Sequence, residues 1–543
     1  MVASKVEPRV PRGMRDILPE QMVRRQYVID VIRSVFEEFG FEPLQTPTLE
    51  LEETLLGKYG SEAERLIYSA TYGGGEERLM LRYDLSVPLC RLIAMYPDLP
   101  KPFKRYHIAP VWRADRPQRG RYREFYQCDA DTVGSSSMLG DAETVAVIYT
   151  ILYRLGFRAF TVHVNNRKIL DGIGQFAGVP DGLLRELYQS IDKLPKIGLQ
   201  GVKQELLMAG LPTPIIEALR RVARLYLQKK VALEQVGARL REERVPGPGG
   251  GGPVPFPEGV AAAVEPALRA ILAKEVPGTV EPDRVQEAAG QLITGVTPVL
   301  REIYGGTAAL IPDDVVDRLL SLLEIKGDNS TVLRSLRERL GEYPEAVEGI
   351  AELEEMLHYL DLLGVPERYV AVDVSMTRGL DYYTGPIYET IVEEAGVGSV
   401  TGGGRFDNLV GVFTGRSLPA TGTTIGIERI IVVMEEQNMF PPSVGKTATQ
   451  VLVTAFDRAL VDESIRAAGM LRQAGLRTQI YFDPDPLREQ IGYAVNKGIP
   501  VVVILGPDEV AQGQLTVRNL RTRQQATVGR EQAPGLIREW LDG

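Results

Sequence analysis

The stretch REFYQCDADTV, residues 123–133, limits this chain's choice of fold more than any other. Its aromatic and β-branched residues read as a strand, and side chains along a strand point alternately to its two faces. Gln127, Asp129 and Asp131 therefore share one face. The preceding FKRYHIAPVWRA also reads as a strand, and DRPQRGRY between the two carries turn residues and charge. The pair is expected to form an antiparallel hairpin with a charged loop. Residues 101–125 hold eight Lys or Arg against two acids, although the whole chain carries −10. An anion is the natural partner of that stretch. Arginines there can fork onto several phosphates, Phe125 can stack on a base, and the acids favour a cationic amine. The competing reading is an edge strand laced with surface ion pairs.

A chain of 543 residues is too long for one core, and three or four domains are expected. Residues 20–39 have apolar residues at helical spacing and stop at Gly40. FEPLQTPTLE then carries Pro43 and Pro47, which suits a sheet edge or a dimer seam better than a central strand. RLMLRYDLSVPLCRLIAMY reads as strand then helix, DAETVAVIYTILYRLG as a helix, and FTVHVNN as a strand. From 167 to about 362 the pattern is helical, broken by VPGPGGGGPVPFPEG (245–259), which is expected to be a flexible link or exposed loop. Strand patterns return at YVAVDVSM, PIYETIVEE and the Gly-rich GVGSVTGGGRFDN, followed by a helix signal in TTIGIERIIVVMEEQ. Residues 447–543 alternate strand and helix, which predicts a small three-layer α/β domain with a mostly parallel sheet.

Three further stretches carry chemistry. In TRGLDYYTGPIYE, Arg378 sits among apolar residues, where a charge needs an anionic partner, and Tyr382 and Tyr383 supply hydroxyls. A structural Arg378–Asp381 pair explains the same residues. GSVTGGGRFDNLVG lets the backbone approach a ligand closely but lacks the lysine and serine of a P-loop. In TGTTIGIERI, small residues hold Arg429 close to a sheet. Two cysteines and three histidines, with no CxxC, argue against a disulfide framework and against zinc. No apolar run is long enough to span a bilayer, and no secretory signal is read at the N-terminus. The expected location is the cytoplasm.

In this order the motifs resemble those of the histidyl-tRNA synthetase family of class II aminoacyl-tRNA synthetases. RGMRDILP with its helix and Pro47 is similar to class II motif 1, RYHIAPVWRADRPQRGRYREFYQCD to motif 2, and TGTTIGIERI to motif 3. RGLDYYTG and GGGRFDNLVG resemble the two histidine-specific motifs. The resemblance implies an α+β fold: a class II antiparallel-sheet catalytic domain with a helical insertion and a C-terminal α/β anticodon-binding domain. The corresponding boundaries are 1–165 and 363–440 for the catalytic domain, 166–362 for the insertion and 447–543 for the last domain. The insertion looks like the eukaryotic-type version.

The family pattern implies a role for each matching position. Asp84 and Gln127 hold the α-amino group of histidine. Asp131 and Tyr383 read its imidazole, with Tyr382 beside them. Arg113 binds the α-phosphate of ATP, Arg121 and Arg429 hold the outer phosphates, and Phe125 stacks on adenine. Arg378 stands opposite Arg113 at the reacting phosphate. The implied reaction is ATP-dependent ligation of L-histidine to tRNA(His) through a histidyl-adenylate, with Mg²⁺ accompanying ATP and a homodimer as the working unit. Phe406 and Asn408 depart from the family's GGRYDGL: Phe406 lacks the tyrosine hydroxyl and Asn408 replaces a glycine, so either the histidine pocket has one polar contact fewer or another group such as Tyr382 supplies it. The alternative is a non-catalytic relative, such as the histidine-sensing regulatory subunit of ATP phosphoribosyltransferase. Retention of Arg113, Arg121, Arg378 and Arg429, and of a C-terminal domain, favours the enzyme.

Overall fold

The strand-forming stretches of the first 440 residues gather into one sheet. A computed structural model describes residues 7–58, 64–72, 74–246, 252–281, 284–306, 310–377, 382–393 and 396–542. Its main sheet has eight strands: β1 (Glu42–Pro43), β2 (Phe103–Trp112), β3 (Glu124–Val133), β4 (Phe160–Asn166), β5 (Val370–Val372), β6 (Pro386–Val392), β7 (Thr401–Arg405) and β8 (Ala420–Ile425). They run in the order β1-β2-β3-β8-β7-β6-β4-β5. The six inner strands are antiparallel to their neighbours, and only the short edge strands β1 and β5 pair in parallel. Pro43 lies in β1, at the edge where a residue without an N–H does no harm. The β2–β3 hairpin forms in full ten-residue register, from Phe103 opposite Val133 to Trp112 opposite Glu124.

Helices cover one face. The first, Pro19–Glu38, buries Val28, Ile32, Val35 and Phe36 beneath the sheet, and Met138–Arg154 and Ile427–Glu436 add to the same core. TTI of the TTIGIERI stretch belongs to strand β8 rather than to the helix. The chain turns at Gly426 before Ile427–Glu436 begins. Threonines pair well across strands, and their β-branching favours the extended form.

The helical stretch after 167 contributes to two cores. Helices Arg167–Ala177 and Pro344–Leu362 pack into the core that underlies the sheet, whereas residues from Leu211 to Leu300 enclose a core of their own. The Pro/Gly-rich segment is more ordered at its flanks than expected. Arg244–Pro246 pairs antiparallel with Pro253–Pro255, and residues 247–251 lie outside the described residues. A two-stranded ribbon has two edges, so its prolines lose little, and buried Val245 and Phe256 pin it to the outer helical core.

The last 90 or so residues build a five-stranded sheet with its own core. Val451–Val453 lies parallel to Thr478–Ile480 and to Val501–Ile504. Gln514–Asn519 and Gln525–Gly529 then add as an antiparallel hairpin. The sheet is thus mixed rather than mostly parallel. The final strand, QATVG, is short and mostly polar, so its period gave little signal. No described helix is long and apolar enough to cross a membrane.

Candidate active site

On the face of the sheet opposite the helices, strands β3, β7 and β8 floor a cleft of about 400 Å³. Nine of the ten residues expected at the site line it: Asp84, Arg113, Arg121, Phe125, Gln127, Asp131, Tyr382, Tyr383 and Arg429. The tenth, Arg378, lies outside the described residues, as does Asp381.

Cations gather at one end. Arg113 is the first residue after β2, and its Nε donates to the Tyr83 carbonyl at 3.0 Å. Its guanidinium lies 4.3 Å from the centre of the Tyr83 ring and 5.2 Å from that of Phe125. These contacts hold the fork in place while leaving nitrogens to meet an anion. Arg121, in the hairpin loop, pairs with Asp115 at 3.0 Å. Arg429 comes from the first turn of helix Ile427–Glu436 and donates to the Ser399 carbonyl. Gly120, at φ +68°, makes room for it: a Cβ there would stand 3.3 Å from Arg429 Cγ. Glu428, beside it on the helix, is held by Arg25 at 2.5 Å and Arg15 at 2.8 Å.

Carboxylates gather at the other end. Asp84 accepts from the N–H groups of Ser86 and Val87 at 3.1 and 3.0 Å, which caps helix Ser86–Met95 and fixes the carboxylate at the cleft wall. Along β3, the Gln127 amide donates to Thr424 Oγ1 at 3.1 Å, and Asp131 pairs with the fully buried Arg105 at 2.7 Å. Burial raises the Asp131 carboxyl to about 6 and that of Asp129 to about 7, against the opposing pull of Arg105. Tyr382 and Tyr383 lie with ring centres 4.3 Å apart, tilted 49° to one another, and the Tyr382 hydroxyl donates to that of Tyr383 at 3.1 Å.

The glycines have a steric reason. A Cβ on Gly422 would come 2.1 Å from Asp131 Oδ1, and one on Gly403 would come 2.2 Å from the Gly422 carbonyl oxygen. A side chain at either position would occupy the space that the cleft floor now uses. A Cβ on Gly404 would press the Tyr383 ring at 2.9 Å. Of the two departures from the family motif, Phe406 is buried and lines the cleft as an apolar wall, whereas Asn408 is exposed and lines no part of it.

Arg105 and His107 were missed at the sequence level. Register places Arg105 opposite Asp131, and His107 opposite Asp129, on the same face of the hairpin. Their alternation in KRYHI was available, but it acquires meaning only once the register is fixed. Arg405, from the GGGRF stretch, faces away from the cleft. It pairs with buried Asp141, which also accepts from Thr421 at 2.8 Å and Tyr388 at 3.0 Å. That network ties β6, β7 and β8 to helix Met138–Arg154 and is structural.

Comparison with known proteins points to one family. The family model described as histidyl-tRNA synthetase matches residues 13–245 and 295–430, and that of the anticodon binding domain matches 450–540. A histidine–tRNA ligase of Gloeobacter violaceus is 35% identical, with 97% of each chain covered. One from Aeropyrum pernix is 37% identical, covering 94% of this chain and 93% of the relative. The crystal structure of histidyl-tRNA synthetase from Nostoc sp. PCC 7120 superposes with a TM-score of 0.70 at 26% identity, covering 98% of this chain and all of that one.

Proposed function

The chain belongs to the histidyl-tRNA synthetase family and joins L-histidine to tRNA(His), and we propose that the cleft described above performs the chemistry in two steps. In the first, the carboxylate of histidine attacks the α-phosphorus of ATP, giving histidyl-adenylate and diphosphate. In the second, the histidyl group passes to the terminal ribose of the tRNA, and AMP leaves. The regulatory-subunit alternative is not favoured, because both the catalytic and the anticodon-binding family models match this chain.

What supports this use of the cleft is its division of charge. Arg113, Arg121 and Arg429 line one end, where Asp115 is paired with Arg121 and Glu428 with Arg15 and Arg25, and Asp84, Asp129 and Asp131 line the other. Attack of a carboxylate on a phosphate brings two anions together, so fixed positive charge at the phosphorus is the chief requirement. Arg113 takes the α-phosphate, and the family resemblance assigns Arg378 to the same phosphate. Arg121 and Arg429 hold the outer phosphates, and Phe125 stacks on adenine. The acidic end takes the two nitrogenous groups of histidine: Asp84 and Gln127 the α-ammonium, Asp131 and Tyr383 the imidazole, with Tyr382 supporting Tyr383. The enzyme supplies no nucleophile. It orients two substrates and cancels their repulsion.

ATP enters as its Mg²⁺ complex. Mg²⁺ keeps most of its shell as phosphate and water oxygens and needs only one or two carboxylates. Asp115 and Glu428 are the carboxylates at the arginine-rich end of the cleft, but Arg121 holds the first and Arg15 and Arg25 hold both oxygens of the second, so these two do not fit the ion as they stand. Residues 447–543 bind the anticodon arm, two copies of the chain pair through the first helix and the Pro47 segment, and the enzyme works in the cytoplasm. The test is single-turnover formation of histidyl-adenylate by the variants Arg113→Ala and Arg378→Ala. Each is expected to lose on the order of 10²- to 10³-fold in rate. Adenylate formation at the wild-type rate in both variants would remove these two arginines from the chemistry.

A further inference from the structure

Asp129 lies between Gln127 and Asp131 on β3, lines the cleft, and is 2% exposed. Its Oδ1 has no hydrogen-bond partner among the described residues, nor has Gln127 Oε1 on the same strand face. A buried carboxylate oxygen left without a donor costs free energy comparable to a lost hydrogen bond, so a fold keeps one where a ligand completes it. The neighbours do not complete it. On its own strand stand Gln127 and Asp131. Across the hairpin stand His107 and Arg105, and on β8 stands Thr424; Asp84 and Arg82 approach from outside the sheet. The buried His107 ring has neither nitrogen hydrogen-bonded, and burial together with Arg105 and Arg82 lowers it to about 3, so it contributes no charge. Arg105 sits in a direct pair with Asp131. The acidic end of the cleft is thus short of hydrogen-bond donors.

Resting on the histidine-activating reading above, we infer that Asp129 is a further specificity-determining residue for the amino acid, its free carboxylate oxygen accepting an N–H of bound histidine beside Asp131. The imidazole N–H then supplies the donor that this oxygen lacks, and an amino acid without a second nitrogenous group cannot. Burial and the neighbouring Asp131 carboxylate hold the Asp129 carboxyl at about 7 when the site is free of substrate, so histidine binds best where that carboxyl is ionised.

Histidine-dependent ATP–pyrophosphate exchange by the full-length wild-type enzyme secures the underlying reading first. Absence of exchange there would sink that reading and not this one in particular. The Asp129→Asn variant, nearly isosteric, is then expected to raise KM for histidine roughly tenfold to a hundredfold while KM for ATP stays within about twofold. An unchanged KM for histidine overturns the inference. Should the variant fail to fold, the wild-type profile decides. KM for histidine is expected to rise as pH falls from about 8 to about 6, while KM for ATP does not follow it. A flat histidine profile across that interval overturns the inference equally.

Discussion

Replacing Gly422 by alanine adds one methyl group at the point where the sheet is most crowded. Gly422 lies opposite Asp131 in the β3–β8 register. The new Cβ would stand 2.1 Å from Asp131 Oδ1, 2.6 Å from its Cγ and 2.7 Å from the carbonyl oxygen of Ala130. The carbonyl belongs to the ladder and cannot move far without breaking it, so the carboxylate must yield. Restoring ordinary contact requires a displacement of about 1 Å, and misplacing a substrate-positioning group by that much can cost about 10²-fold. Asp131 also pairs with Arg105 at 2.7 Å, and that contact would be lengthened. Overpacking of this kind further destabilises a fold by about 1–3 kcal/mol. The assay is steady-state ATP–pyrophosphate exchange with histidine varied at saturating ATP, and ATP varied at saturating histidine. We expect KM for histidine to rise by one to two orders of magnitude, with KM for ATP nearly unchanged because the arginines lie at the far end of the cleft. A Gly422→Ala enzyme with wild-type KM for histidine would refute the claim that Asp131 is held in its place by the absence of a side chain at 422.

Other outcomes follow from the same geometry. Asp141→Ala leaves the buried Arg405 guanidinium without its carboxylate, and denaturant unfolding is expected to show a loss of about 3–5 kcal/mol with no selective effect on either KM of the remaining folded enzyme. Asp129 and Asp131 have folded-state carboxyls raised above their unfolded values, so their contribution to stability is fully present in acid below about 4 and is lost progressively as pH rises from there to about 7. The histidine-free enzyme should therefore lose part of its stability over that interval, and saturating histidine should restore it, as read by denaturant titration at several pH values. Removal of residues 447–543 should weaken tRNA charging far more than adenylate formation; equal loss in both assays would contradict the separate core of that domain as a tRNA-binding unit.

The parts of the fold readable from the sequence are those where one local rule decides. The β2–β3 hairpin was legible because two alternating stretches flank a charged turn, and the Gln127–Asp129–Asp131 face followed from period two alone. Pro43 announced an edge for the same kind of local reason. The rest depended on distant partners. Arg105 and His107 gain their roles from register, which one strand cannot state by itself. Ala420–Ile425 was partly absorbed into the helix that follows, because Thr-Thr-Ile can begin either element and its strand neighbours lie in β3 and β7. The prolines around 245–259 read as a break, yet in a ribbon with two edges the missing donors are not needed. The convergence of nine separated residues on one cleft was expected only through the family resemblance, since nothing in the local pattern brings Asp84, Tyr383 and Arg429 together.

The account's central claim is that one cleft pairs an amino acid bearing two nitrogenous groups with the α-phosphate of ATP. ATP–pyrophosphate exchange by the purified full-length enzyme, measured separately with each of the protein amino acids, tests it most directly. Exchange is expected with L-histidine and at background with every other amino acid. Exchange driven by a different amino acid, or no exchange with any, would contradict it.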